Sequence, residues 1–407
     1  CLAPKNENDA ATVAFSMKNL HPQTKTLLWA QIGLNAALNR NNKAIDYYRL
    51  ATSRLVQAKQ CVGLENILQW QLRAALMQEN WTELLTCLSR APKNLAKSPC
   101  WTFWKGFALI QTNKAAQGKA FLRTLIKNTD FYGFLACDVL SVDYPNENIK
   151  APKLSREQQI AFDQNPHLLR ANAFYDLHLT YEGNREWNWA LRSMDKPTRL
   201  ALALYALQKG LVHRAINTST STGLYCAELN YPLAYGKMID HACLETGLPT
   251  DWVLGLIRQE SRFITTAKSS AGALGLMQLM PKTARWIVKN DNLGKHVLKD
   301  LLSPENNILI GTRYLKLVYD NFSQSVPLAT ASYNAGPTRV QQWRQSLVKP
   351  LTGAIFAETI PFTETRNYVK AVTANRVHYA RILGRPVRLT DILGIVEKNS
   401  DVNPAIP

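Results

Sequence analysis

The 407-residue chain has no apolar run of roughly 18 residues or more, so no bilayer-spanning helix is expected. No segment alternates apolar and polar residues over a useful length, which leaves β-structure without support. None of the seven cysteines stands in C-x-x-C spacing, so zinc and thioredoxin-type readings have no basis. The seven histidines are scattered with no H-E-x-x-H, and no glycine-rich phosphate loop is present; neither a metal nor a cofactor is implied. Ser346-Leu347-Val348-Lys349 fits S-x-x-K but lacks the companion motifs of that chemistry and reads as a coincidence. Acidic residues are scarce too, 30 against 48 Lys and Arg, for a net charge of +18. Such an excess favours an anionic partner: nucleic acid, an acidic polymer or a membrane surface. It is spread over the chain, +11 in residues 1–225 and +7 in 226–407, with no basic stripe interleaved with aromatics. That argues against nucleic acid, and a solvated basic surface is the plainer reading.

What is present describes a folded protein, 46% hydrophobic and 19% charged, long enough for two or three domains. Residues 20–157 read as helical hairpins, with apolar residues at three-and-four spacing in Leu28, Trp29, Ile32 and Ala36 and again in Ile67, Leu68, Leu72, Ala75 and Leu76. Trp70 and Trp104 lie 34 residues apart, each followed by alanine four residues later, a period that fits a tetratricopeptide-like superhelix. Residues 158–225 read as a helical linker domain and 226–407 as a second α domain with more glycines and isolated polar residues. The fold class expected is all-α. Most cysteines sit among apolar helical residues as small core side chains, with disulfides left open for an oxidising compartment. Cys1 opens a polar stretch, Leu2-Ala3-Pro4-Lys5-Asn6-Glu7, as a mature bacterial lipoprotein does. On that reading residues 1–19 are a flexible tether and an acyl chain at Cys1 holds the protein on the outer membrane; on the other, the numbering merely starts there.

The chemistry concentrates in Arg258-Gln259-Glu260-Ser261-Arg262-Phe263 and the segment after it. Residues 249–258 predict a helix, capped by Thr250 or Asp251, with Val253, Leu254, Leu256 and Ile257 as its buried stripe. Glu260 lies on or beside that stripe, where apolar surroundings favour the neutral acid that a proton donor needs. Helix geometry alone favours an ordinary exposed glutamate on a helix end, paired with Arg258 or Arg262. The loop that follows, Lys268-Ser269-Ser270-Ala271-Gly272-Ala273-Leu274-Gly275-Leu276-Met277-Gln278-Leu279-Met280-Pro281, holds no carboxylate, and none occurs between Glu260 and Asp291. Ser269 and Ser270 fit turn formers or hydroxyls aimed at a ligand. Gln278, among apolar neighbours, must meet a core carbonyl or a bound polar group. Met280 suits the core or the wall of a sugar subsite. Farther on, Ala331-Ser332-Tyr333-Asn334-Ala335-Gly336-Pro337 leaves Tyr333 and Asn334 at a helix end, and Pro361 precedes a helix carrying Glu364.

In this order and spacing the four segments resemble the soluble lytic transglycosylases of bacterial cell-wall turnover. The similarity covers about the last 180 residues, including the entry Tyr231-Pro232-Leu233-Ala234-Tyr235. Upstream, Phe131-Tyr132-Gly133-Phe134-Leu135-Ala136 and the helices around Trp187 look more loosely like that family's superhelical and linker parts. The resemblance implies a goose-lysozyme-like catalytic domain, at residues 226–407, acting on peptidoglycan strands in the periplasm. It implies cleavage of the β-1,4 bond between N-acetylmuramic acid and N-acetylglucosamine, with Glu260 as acid and then base and a 1,6-anhydro product. Ser269, Gln278, Met280, Tyr333, Asn334 and Glu364 fall on substrate-binding positions, Ser269 toward the acetamido group and Tyr333 toward the acid. Proteins of cell-wall synthesis or turnover are the partners implied. A goose-type muramidase that uses water is the alternative enzyme; a basic helical scaffold binding nucleic acid or protein is the non-catalytic one. The scaffold gives no reason for the four segments to occur together.

Overall fold

The computed structural model describes residues 7–398 apart from 18, 56–62 and 147. Cys1 and Cys61 lie outside the described residues, so the anchor reading of Cys1 does too. Helices dominate, and the only strands among the described residues are two-residue segments, Leu351–Thr352 paired antiparallel with Ile395–Val396. The chain divides into two compact units, one from residues 1–145, 318–374 and 388–406 and the other from 146–317 and 375–387.

The first unit corrects the sequence reading at its start. Residues 7–16, assigned to a flexible tether, form the helix Glu7–Ser16. Its three- and four-residue spacing buries Ala10, Ala11 and Ala14, and Phe15 packs on Trp29 with ring centres 4.6 Å apart. Hairpins follow as expected, in the helices Pro22–Leu38, Ala44–Leu55, Leu64–Met77, Trp81–Arg90, Pro99–Gln111, Ala115–Arg123 and Phe131–Leu140. Trp29, Trp70, Trp101 and Trp104 are all but fully buried, the large apolar area that closes a stack of hairpins. Gly106 and Gly118 let two of these helices nearly touch: a Cβ on Gly118 would sit 2.4 Å from the Gly106 carbonyl oxygen.

The same unit contains a buried ionic knot that the sequence did not announce. Glu358, fully buried at the end of the helix Gly353–Glu358, takes Arg73 from the hairpins at 2.9 Å and Lys370 at 2.9 Å. The Tyr132 hydroxyl donates to Oε2, the carboxylate oxygen that Lys370 also reaches, while Arg73 is on Oε1. Burial alone would raise the Glu358 pKa, but the Lys370 and Arg73 charges and the Tyr132 hydrogen bond outweigh it and hold it at about 2. A second tie links Asp138 to Tyr144 at 2.7 Å and to the backbone of Thr390 at 2.9 Å.

In the second unit the hairpins Pro166–Asp176 with Thr180–Ala190, and Lys196–Gln208 with Val212–Thr220, enclose Trp187, whose indole N–H donates to Thr218 at 3.0 Å. Beyond them come Gly236–Thr246, Thr250–Glu260 and Pro281–Asn290. Cys87, Cys137, Cys226 and Cys243 are buried and Cys100 half-buried, all five as free thiols, which matches the reading of cysteine as a small core side chain.

Candidate active site

The helix Thr250–Glu260 buries every residue from Asp251 to Ile257, so its apolar stripe extends around most of its girth. Its start differs from expectation. Pro249 occupies the cap position without a side-chain bond; Thr250 instead donates to Asp240 at 3.0 Å, and the Asp251 carboxylate pairs with Arg376 at 2.8 Å. Proline serves there because its missing N–H is not needed at a helix start.

The far end is held more tightly. Arg258 donates through Nε to the Asn230 carbonyl at 2.9 Å and through Nη1 to Asn375 at 3.2 Å, and its guanidinium lies 4.3 Å over the Tyr231 ring. Asn375 in turn donates to the Gly255 carbonyl at 3.1 Å. Arg262 donates to Asn217. Both arginines offered as surface partners for Glu260 thus have amide partners. Glu260 itself is half-buried on the last helical position.

After the acid the backbone turns through two left-handed residues, Arg262 at φ 49° and Phe263 at φ 65°. Ser261 makes that turn possible: its hydroxyl donates to the Leu276 carbonyl at 2.8 Å and accepts from the Phe263 N–H at 3.1 Å. The residue next to the acid is thereby fastened to the neutral loop.

That loop is rigidly wired. Bridges join Lys268 to Leu274 and Leu274 to Leu279. Buried Asn307 accepts from the Met277 N–H at 2.7 Å and donates to the Leu274 and Leu301 carbonyls at 2.9 and 2.8 Å. Gln278 has found core carbonyls, donating to Gly275 at 2.8 Å and Ala267 at 3.2 Å. Ser269 closes a turn, accepting from the Ala273 N–H at 3.0 Å, and no acceptor for its own O–H occurs among the described residues. Met280 is exposed at 42% rather than in the core. Gly275 is at φ +77°, and a Cβ there would sit 2.3 Å from the Asn307 amide nitrogen. Gly275→Ala is therefore expected to cost about 2–4 kcal/mol of stability, from the left-handed backbone and the clash together; urea unfolding monitored by fluorescence checks this.

Glu260, Ser269, Gln278 and Met280 thus share the second unit, on one helix end and the loop after it. Tyr333, Asn334 and Glu364 belong to the first unit. Tyr333 and Asn334 are half-buried at the end of the helix Val326–Ala335. Asn334 accepts from Thr365 at 2.6 Å, which brings it to the helix Thr363–Ile382, where Glu364 is exposed in the first turn. Sequence reasoning missed Asn307 and Asn375. The signal available was an asparagine pair, Asn306-Asn307, ahead of Ile308, Leu309 and Ile310 in one case and an asparagine between Ala374 and Arg376 in the other, too slight to single out.

The carboxylates flanking Glu260 in sequence are engaged elsewhere. Asp251 pairs with Arg376, while Glu245 and Asp291 share Arg313 at 3.1 and 3.4 Å. One acid on a clamped helix end, beside a neutral loop fixed by its own hydrogen bonds, is the outcome of this geometry.

Stacked helical hairpins together with a second helical domain of this kind define a superhelical protein with a lysozyme-like domain. Three family models match the chain: "Transglycosylase SLT domain" over residues 237–351, "Soluble lytic murein transglycosylase L domain" over 161–225 and "Soluble lytic transglycosylase helical domain" over 359–387. The soluble lytic murein transglycosylase of Escherichia coli K12 is 30% identical over 321 residues, 78% of this chain and 49% of that protein. The putative soluble lytic murein transglycosylase of Haemophilus influenzae is 29% identical over 351 residues, 84% of this chain and 56% of that one. The X-ray structure of an inactive mutant of the lytic transglycosylase Slt from Pseudomonas aeruginosa matches with a TM-score of 0.82 at 27% identity, covering 95% of this chain and 62% of that chain. The 70 kDa soluble lytic transglycosylase of Escherichia coli matches at 0.74 and 27%, covering 96% and 67%. The chain belongs to the soluble lytic transglycosylase family. It spans about half the length of the curated relatives it matches.

Proposed function

We propose that this protein cleaves the β-1,4 bond between N-acetylmuramic acid and N-acetylglucosamine in peptidoglycan, without water, leaving a 1,6-anhydromuramoyl end. The observation that carries the reading is the single glutamate, Glu260, on a clamped helix end with its flanking carboxylates tied up in ion pairs. Two-carboxylate glycosidases need a second acid about 5–9.5 Å from the first, as nucleophile or as base for water. An internal hydroxyl removes that need. Protonated Glu260 gives its proton to the glycosidic oxygen as the C1–O bond breaks, with the N-acetyl group stabilising the cationic carbon. The Glu260 carboxylate then takes the proton of the muramoyl C6 hydroxyl as O6 bonds to C1. The acid is restored and no water is consumed. Ser269, whose O–H meets no acceptor among the described residues, is suited to the acetamido carbonyl; Met280 offers an exposed apolar surface to a sugar ring.

Mass spectrometry of soluble products from digested sacculi tests the reaction. Anhydromuramoyl ends are expected, and ¹⁸O from labelled water appearing at C1 would instead establish a muramidase. Bulgecin A, bound in a structure of the 70 kDa soluble lytic transglycosylase, is expected to inhibit this chain, read as loss of sacculus solubilisation. The +18 net charge suits docking on an anionic wall, in the periplasm; activity on sacculi should fall as salt rises from about 50 to 500 mM, because exposed charges are screened beyond a Debye length.

A further inference from the structure

The positive charge of residues 1–225 is not evenly placed. Between Glu83 and Asp130 the chain holds no Asp or Glu but eight Lys and Arg, which supply eight of the eleven net charges of residues 1–225. The run lies wholly in the first unit. Ion pairs occur along the described residues from Arg49 to Arg388, and none of them takes any of these eight cations. The carboxylates that bound the run are used elsewhere. Glu83 pairs with Arg49 at 3.2 Å, and Asp130 accepts from the Gly133 N–H at 2.9 Å.

Packing gathers four of the eight at one end of a hairpin. The helices Pro99–Gln111 and Ala115–Arg123 run antiparallel: a Cβ on Gly106 would meet Leu122 at 2.9 Å, and one on Gly118 would meet Ile110 at 2.7 Å. The end of the second helix therefore returns to the start of the first. Arg123 and Lys127 stand at that end, where Lys93 and Lys97 lead into Pro99. All four are exposed. What is missing around them narrows the partner. No large hydrophobic side chain of the run is exposed. Trp101, Phe103 and Trp104 are buried, and Phe121 lies beneath the Lys105 ammonium at 4.4 Å. A protein interface needs an aromatic or aliphatic anchor, a single-stranded nucleic acid needs rings to stack on, and an interfacial membrane helix needs an apolar face. Attraction by charge is what remains, from six lysines and two arginines. Lysines on flexible stems act as point charges without a fixed fork, which suits many carboxylates on flexible chains better than one fixed anion.

We propose that this end of the hairpin is a docking surface for the wall itself, holding the peptide carboxylates that the glycan strands of peptidoglycan bear. The proposal rests on peptidoglycan being the substrate, and it assigns wall binding to the first unit, whereas Glu260 belongs to the second. Its test is co-sedimentation of the full chain carrying Glu260→Gln with insoluble sacculi, which reads binding without turnover. Adding Lys93→Gln, Lys97→Gln, Arg123→Gln and Lys127→Gln together should weaken binding at least about tenfold. The melting temperature should stay near the parent's, because the four side chains are exposed and have no ion pairs. A control removes the same charge from exposed cations of the second unit, by Lys150→Gln, Lys153→Gln, Arg156→Gln and Lys196→Gln. It should weaken binding by less than about threefold. Sacculi whose carboxylates have been converted to amides should lose the parent's binding as well. With Glu260 restored, the first-unit variant should release products more slowly from sacculi but at the parent's rate from short soluble strands. Equal weakening by the control, undiminished binding to amidated sacculi, or tighter binding to phosphatidylglycerol vesicles than to sacculi at equal anionic charge would overturn the proposal. Should sacculi yield no anhydromuramoyl ends, the reaction assigned to Glu260 fails, and the binding result still decides the docking surface.

Discussion

Replacing Glu260 by glutamine is expected to lower peptidoglycan cleavage by about 10³-fold or more, because in the proposed mechanism one group carries both proton transfers and each contributes on the order of 10²–10⁴. The change keeps the side chain's volume and removes only its titratable proton. The fold should survive. The helix end is held by Arg258 on Asn230 and Asn375 and by Ser261 on the Leu276 carbonyl, none of which needs a charge at position 260. Circular dichroism and melting temperature of Glu260→Gln should therefore stay near the parent's while release of anhydromuropeptides from sacculi disappears. Retained release would remove Glu260 from the role of acid.

Glu358→Gln is expected to have the largest effect on stability, about 3–5 kcal/mol, because it strands the buried charges of Arg73 and Lys370. For a unit of this size that is a fall of roughly 10 °C in melting temperature. Calorimetry of the variant would show it, and a fall of less than about 2 °C would mean that the knot contributes little. The pH dependence follows from the same group. Its pKa is lowered on folding, from 4.5 to about 2, so its stabilisation is fully present above about 4.5 and is lost as pH falls toward 2.

His213 acts in the second unit through a wider window. Burial first, then the Arg214 and Arg262 charges, push its pKa from 6.5 down to about 3. Neutral His213 therefore favours the fold above pH 6.5, and that contribution is lost as pH drops from there to 3. Acid weakening is expected to begin in the second unit. Amide exchange at pH 7 and pH 5 would show it, as faster exchange in residues 196–220 while the helix Leu64–Met77 stays protected. The reverse order would show that other groups govern acid stability.

Much of the candidate site was legible along the chain because its parts are local. The Glu260 helix, the carboxylate-free loop and the two helix ends at Asn334 and Glu364 each occupy a short run, and the order of these runs carried the family resemblance. Less legible was what holds them. Gln278 allowed two readings from sequence, and only the positions of the Ala267 and Gly275 carbonyls chose between them. The capping role offered to Asp251 went to no residue, because Arg376, 125 positions away, claimed the carboxylate.

Periodicity, turn residues and motif order, properties of neighbouring positions, determined by themselves an all-α chain and singled out Glu260 as the candidate acid. Tertiary structure alone decided which polar groups meet. Arg73 reaches Glu358 across 285 positions and Tyr132 reaches it across 226, and Arg40 meets Thr359 across 319. A helical pattern states which face of a helix is buried, since each turn repeats it. Nothing along the chain states which distant charge waits in that interior, because pairing depends on where packing brings the helices and not on any repeat within them.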